Sequence, residues 1–250
     1  MPRFFIEECL DHNTDKIVLE KDDAHHISHV LRMKIGDEVI VCDGAKTEFI
    51  AIVEHFESGR VFLAVKQKRI NNTEPPWRGW LFQGLPKGDK FELIIQKAVE
   101  LGCYAVVPVA CSRSVAKLSP VKAERKLERW NKIAQEAARQ CGRGIVPKVY
   151  EPIAFSEAVG RISEMSLGFL PWENENSCSL RNLLESESSK ITQDGLEIGF
   201  LIGPEGGFSQ HEVSLAESAG IRSVTLGPRI LRTETAGLAV LSMLGYQYEQ

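Results

Sequence analysis

Over the first seventy residues, apolar and β-branched residues come in short runs separated by turn residues. The pattern predicts strands at 3–6, 16–19, 38–42, 48–56 and 60–66, with turns at Asp43-Gly44 and Ser58-Gly59. One short helix, about 22–31, interrupts them and ends before Gly36. This reads as a small β-rich barrel or sandwich. The polar stretch Asn71-Asn72-Thr73-Glu74 then runs into Pro75-Pro76, which neither a helix nor a central strand accepts, and predicts a boundary between domains at 1–72 and 73–250. Beyond it the pattern alternates apolar strands (79–83, 104–109, 167–170, 198–202, 223–226) with amphipathic helices (89–101, 120–141, 155–163, 209–219, 233–248). That alternation is the signature of an α/β domain with a parallel sheet. The polar run 185–189 reads as a solvated loop.

Two strand-to-helix passages carry candidate chemistry. In the first, the strand ending at Ile202 enters Gly203-Pro204-Glu205-Gly206-Gly207-Phe208, and Ser209 with Glu212 three residues later forms a capping box for the next helix. Glycines at the carboxyl end of a parallel strand let a ligand approach the backbone, though a plain tight turn has the same sequence. The loop lacks the lysine and the glycine spacing of phosphate-binding loops. In the second passage, Leu226-Gly227-Pro228-Arg229-Ile230-Leu231-Arg232 leads into a helix that Thr233 can cap and that is apolar almost all round from Ala236 to Leu244. Such a helix is buried in the chain or in a dimer. Arg229 and Arg232 sit at the positive end of its dipole, a local conflict of the kind found at functional sites, with Glu234 beside them.

Charge changes the picture of the long helix. The chain carries 30 Lys and Arg against 34 Asp and Glu, a net of -4, which argues against a protein that coats nucleic acid. Yet residues 113–148 hold ten basic residues against three Glu, and 151–197 hold nine acidic against three basic. Arg125, Arg129, Lys132, Glu136, Arg139 and Arg143 follow helical spacing, opposite a stripe of Leu127, Trp130, Ala134, Ala137 and Cys141. The face is either solvated or follows phosphates.

Composition excludes several classes. With 43% hydrophobic and 26% charged residues the chain has a globular core, not a disordered or fibrous one. No apolar run approaches a membrane span, and Glu7-Glu8 come too early for a secretory signal, so a cytoplasmic location is expected. Six cysteines without a C-x-x-C pair suggest reduced thiols. His25, His26 and His29 share helical spacing but lack accompanying carboxylates, and no metal is expected.

Taken together, these motifs carry a resemblance. His25-His26 through Arg32 with Gly36-Asp37, Lys87 through Gly102, Arg113-Ser114-Val115, Glu136 through Arg143, Ile202 through Gly207 and Leu226 through Ala236 resemble the RsmE family of ribosomal RNA methyltransferases, within the SPOUT class. Arg139 departs from the acidic or polar residue expected there. The resemblance implies an N-terminal PUA-like RNA-binding β-barrel and a SPOUT-type α/β domain with a C-terminal trefoil knot. It implies S-adenosylmethionine as the cofactor, held by Leu170, Pro171, Gly203, Pro204, Glu205, Gly206, Leu226, Gly227, Ile230, Leu231, Thr235 and Ala236. It also implies a homodimer through the last helix, and as acceptor N3 of one uridine in 16S rRNA, on the small ribosomal subunit.

Uridine N3 keeps its proton near neutral pH, so methylation needs a proton acceptor or a cation beside the base. Arg232 is the candidate for stabilising charge and Glu234 for proton acceptance or orientation. Arg32, Lys34, Lys87, Arg113, Arg129 and Arg143 are the candidate RNA contacts. A non-catalytic RNA-binding or ribosome-assembly protein, or a methyltransferase acting on another RNA such as tRNA, are the rival readings.

Overall fold

The computed structural model describes residues 1–6, 10, 14–44, 47–114, 120–187 and 196–249, with side chains from 123 onward in the helix that starts at 120. Two compact units result. The first comprises Met1–Glu74 together with Ala138–Val146, and the second Pro75–Ala137 together with Pro147–Gln250. Residues 138–146, within the expected 73–250 domain, group by contacts with the first unit.

In the first unit, β1 (Arg3–Phe5), β2 (Lys16–Leu19), β3 (Glu38–Cys42), β4 (Thr47–Glu57) and β5 (Arg60–Ile70) form one sheet in the order β1-β3-β4-β5-β2. The β4–β5 hairpin turns at Ser58 and Gly59, both with positive φ, as the right-handed strand twist favours. Phe4, Ile17, Leu19, Val39, Val41, Phe49, Val53 and Leu63 point into one core. The expected helix at 22–31 divides into α1 (Lys21–His25) and a π-helical turn, His26–Val30. The Ser28 hydroxyl donates to the Ala24 carbonyl (2.7 Å), and the Leu31 N–H reaches back five residues to His26 (2.8 Å). A side chain competing for an i−4 carbonyl favours such widening.

Ala138–Val146 is fixed to this unit by charge. Arg139 pairs with Asp23 (2.6 Å) and Arg143 with Glu74 (2.6 Å), while buried Asn71 donates to Glu48 (2.6 Å) and to the Gly142 carbonyl (3.3 Å). Glu48 also receives Arg3 and Arg69. Burial pushes its carboxyl up, but the donors of Asn71, Arg3 and Arg69 outweigh this and hold it below the usual range.

The second unit is a parallel sheet of β6 (Trp77–Gly84), β7 (Ala105–Ala110), β8 (Lys148–Val149), β10 (Leu167–Pro171), β11 (Leu196–Ile202) and β12 (Arg222–Val224), in the order β12-β10-β11-β6-β7-β8. The short strand β9 (Ile153–Ala154) also pairs with β7. Helices α2 (Lys90–Glu100) and α7 (Thr233–Tyr248) pack together, α7 lying on β6 and β11. On the other face, α4 (Phe155–Ser163) and α6 (Gln210–Ser218) bury Ile162, Val213 and Phe208 against Phe82, Val107, Leu170 and Leu201. Helix α3 (Pro120–Cys141) buries Trp130 and Ala134, and Trp130 meets Phe91 of α2.

Several features differ from the sequence reading. β8, β9 and α5 (Leu180–Glu187) were not anticipated, and α5 takes in Glu185 to Glu187 of the expected loop. The strand expected at 223–226 ends at Val224, because Thr225 and Leu226 turn into the cleft described below. Among the described residues, no helix is long and apolar enough to cross a membrane, and no group of three metal-ligating side chains forms.

Candidate active site at the strand ends

β12, β10 and β11 are neighbours, so the loops that leave their carboxyl ends meet. These loops and the first turn of α7 enclose a cleft of about 460 Å³, a volume suited to one small molecule. Trp172, Glu173 and Asn176 come from the loop after β10, Gly203 to Phe208 from the loop after β11, and Thr225 to Arg232 from the loop after β12. Glu234 and Ala236 of α7 and Lys90 at the start of α2 complete it.

Each loop is fastened by its own sequence. After β10, Glu175 accepts from the N–H and hydroxyl of Ser177 (both 2.6 Å), from the Cys178 N–H (3.2 Å) and from Ser223 (2.7 Å). These donors, Ser177 foremost, pull its carboxyl down to about 2. After β11, the expected capping box forms: Ser209 accepts from the Glu212 N–H (3.3 Å), and Glu212 accepts from the Ser209 N–H (2.9 Å). The buried Glu212 carboxylate also takes the N–H and hydroxyl of Ser112 (both 2.8 Å), binding the turn after β7 to α6. After β12, the Thr225 N–H donates to the Cys178 carbonyl (2.8 Å), so the first and third loops brace each other.

The electrostatic centre is Lys90. Its ammonium lies 3.1 Å from Glu234 and 3.4 Å from Glu205. Glu205 also accepts from the Lys87 N–H (3.1 Å). The hydrogen bond to Glu234 acts first and, with that to Glu205, raises the Lys90 pKa against the penalty of burial. Both carboxyls are held below their ordinary values. For Glu234 the backbone N–H at the helix start acts first, then Lys90; for Glu205, burial is outweighed by backbone N–H groups and Lys90.

Of the sequence-derived cofactor residues, Pro171, Gly203, Pro204, Glu205, Gly206, Leu226, Gly227, Ile230, Leu231 and Ala236 line the cleft, together with Arg232 and Glu234. Leu170 does not, because strand alternation turns it into the core with α4. Thr235 is not among the lining residues either; it is exposed on α7. Thr233 does not cap α7, whose cap position is Arg232; its hydroxyl donates instead to the Gly203 carbonyl (2.7 Å).

The basic residues part company. Arg32 and Lys34 are exposed on the first unit. In the second, Arg113 donates to the Gly206 carbonyl (2.9 Å), Lys87 holds Glu205 through its backbone, and Arg129 pairs with Glu92 (2.7 Å). Arg143 is a correction: only 4% exposed and paired with Glu74, it cannot present its charge to RNA. Nor does it extend the α3 face, since the helix ends at Cys141. Lys90 and Trp172 line the cleft without having been singled out in the sequence, and the buried Gln83 lies behind it. Only Gln83 carried a local signal, a polar residue ending an otherwise apolar strand.

Comparison with known proteins places both units in one family. A family model for an RNA methyltransferase domain matches residues 73–245, and one for an RNA methyltransferase PUA domain matches 19–66. The chain is similar to the ribosomal RNA small subunit methyltransferase E of Bacillus subtilis (strain 168), at 36% identity over 100% of this chain and 98% of that protein. It is 33% identical to the protein of the same name from Synechocystis, over 91% of this chain and 72% of the relative. Among solved structures, a ribosomal RNA small subunit methyltransferase E from Neisseria gonorrhoeae bound to S-adenosyl methionine is 31% identical, with a TM-score of 0.85 over 99% of this chain and 98% of that one.

Proposed function

Since the chain belongs to the ribosomal RNA small subunit methyltransferase E family, an S-adenosylmethionine-dependent rRNA methyltransferase family, we propose that its cleft holds the cofactor and serves methylation of N3 of one uridine on the assembled small subunit. The observation that carries this reading is the convergence of three loops and the start of α7 on one cleft, with charges of both signs at its rim.

The lining fits the cofactor. Pro171, Leu226, Ile230, Leu231 and Ala236 offer apolar surface to a flat base, and the backbone of 203–207 offers close approach. The cofactor supplies a methyl group on a positively charged sulfur. What the protein must add is a place for the negative charge that develops on the acceptor base. Arg232, exposed at the cap position of α7, takes that role. Glu234 orients; bound to Lys90 and held acidic, it is a weak proton acceptor. Positioning then supplies much of the acceleration.

The same reading assigns RNA contact to Arg32 and Lys34 of the PUA-like unit and to Lys87, Arg113 and Arg129. It takes the exposed Ile230, Met243 and Tyr246 as the face that a second copy covers in a homodimer. It carries the knotted path of the SPOUT class as well, supported by the return of the chain from edge strand β12 to α7 on β6 and β11.

Calorimetry with S-adenosylhomocysteine and single-turnover methylation of small subunits test the roles together. Arg232→Ala is expected to bind the ligand normally and to lose about a hundredfold in rate, the scale of one charge-stabilising group. Glu234→Gln is expected to lose less. Near-native rates in both variants, with binding retained, would remove Arg232 and Glu234 from the mechanism.

A further inference from the structure

The glycine loop after β11 is held at each of its first four residues. The Pro204 ring packs where Gly84 lacks a side chain; an ideal Cβ on Gly84 would lie 2.7 Å from Pro204 Cδ. Glu205 is held by Lys87 and Lys90, and Gly206 by Arg113. The tether on Gly203 differs from these because it is buried and passes through two side chains. Gln83, wholly inaccessible at the end of β6, donates from Nε2 to the Thr233 hydroxyl (2.9 Å) and to the Gly84 carbonyl (3.0 Å). Thr233, itself 6% exposed, passes its own proton to the Gly203 carbonyl (2.7 Å).

We propose that Gln83 and Thr233 are positioning residues, a buried relay that fixes the Gly203–Pro204 peptide against the first turn of α7 and so holds the cofactor loop in register with Arg232 and Glu234. This rests on the reading of the cleft as the cofactor site. The chemistry is directional. A threonine hydroxyl has one proton, and the Gly203 carbonyl can only accept, so the proton goes to Gly203 and the hydroxyl oxygen must accept from elsewhere. Gln83 Nε2 supplies that donor. Its Oε1 has no partner, and turning the amide over to relieve it would break both Nε2 bonds. An unsatisfied buried oxygen is costly, and it is tolerated where the arrangement serves the site. Because proline has no N–H, the Gly203–Pro204 peptide can be anchored only through its carbonyl, and Thr233 takes that anchor. Thr233 is also the first residue of α7, flanked by Arg232 and Glu234, so one hydroxyl ties the loop to the residues beside the acceptor base.

The test compares native protein, Thr233→Val, Thr233→Ser, Gln83→Leu and the Thr233→Val/Gln83→Leu double variant. S-adenosylhomocysteine affinity is read by calorimetry, rRNA methylation by kcat and by KM for each substrate, and folding by thermal unfolding. Thr233→Val, isosteric but without the hydroxyl, is expected to fold, to bind about tenfold more weakly, the scale of one buried hydrogen bond, and to lose kcat with little change in KM for RNA. Thr233→Ser is expected to restore both. The double variant should lose less than the sum of the two singles, because either substitution already removes the Gln83–Thr233 bond. Native-like binding and kcat in folded Thr233→Val, or additive losses in the double variant, would overturn the relay. Should Thr233→Val not fold, Gln83→Leu decides alone: weakened binding supports the relay and native binding overturns it. Failure of the native protein to bind the ligand would instead overturn the reading of the cleft.

Discussion

The residues that matter most for this site are held by short-range bonds that oppose their burial. Glu212 is the clearest: it is 5% exposed, which alone would push its carboxyl up, yet donors from Ser112 and Ser209 bring it below the usual range. Its folded-state pKa therefore lies under its unfolded one. The stability it contributes is complete above the ordinary carboxylate range and is lost as pH falls through the lowered value. Glu212→Gln places an amide donor among N–H and hydroxyl donors and should cost about 2 kcal/mol at neutral pH. The gap to the native protein should narrow in acid, below the ordinary carboxylate range. Urea unfolding at neutral and at acid pH checks this; a gap independent of pH would show that the carboxylate charge is not its source. Residue chemistry was partly legible beforehand. Ser209 with Glu212 announced a cap, but nothing in the sequence said that Ser112, a hundred positions away, would share the carboxylate.

Among elements, periodicity located most strands and helices because burial on one face enforces it. The misses are short or bent pieces. β8 and β9 have two residues each, too few to show alternation, and the π-helical turn follows from one serine side chain. Glycine was harder to interpret. Gly199, inside the strand that leads to the glycine loop, is paired in register with Gly168, and both lie under α4. A Cβ on Gly168 would come 2.6 Å from Ile162 Cγ2, and one on Gly199 2.7 Å from Met165 Sδ. The two glycines let α4 settle on β10 and β11. Gly168→Ala is accordingly expected to cost about 2 kcal/mol through overpacking. Ile162→Ala should relieve part of that cost, so the double variant loses less than the sum of the singles in thermal unfolding. Strict additivity would mean that the two side chains do not meet.

For the molecule as a whole, the chain does not divide where its composition does. Contacts group Ala138–Val146 with Met1–Glu74, and Arg139–Asp23 and Arg143–Glu74 join the two stretches. Arg143→Ala leaves the half-buried Glu74 without its cation, at a cost of about 2 kcal/mol. Amide exchange in β3, β4 and β5 is expected to quicken in that variant; native protection would show that the pair is dispensable. By itself the sequence determined the strand and helix periods, the α/β class of the second unit, the two glycine- and proline-bearing loops and, through their motifs, the family. These are local properties, encoded in neighbouring side chains. Tertiary structure decided which charges are drawn into pairs: Arg143 buried against Glu74, and Lys90 between Glu205 and Glu234. It also decided that Gln83, at the end of β6, would reach Thr233 across 150 positions. The reason is physical. Periodicity records whether a side chain faces the core, whereas pairing and proton direction depend on which distant group the fold brings within about 3 Å.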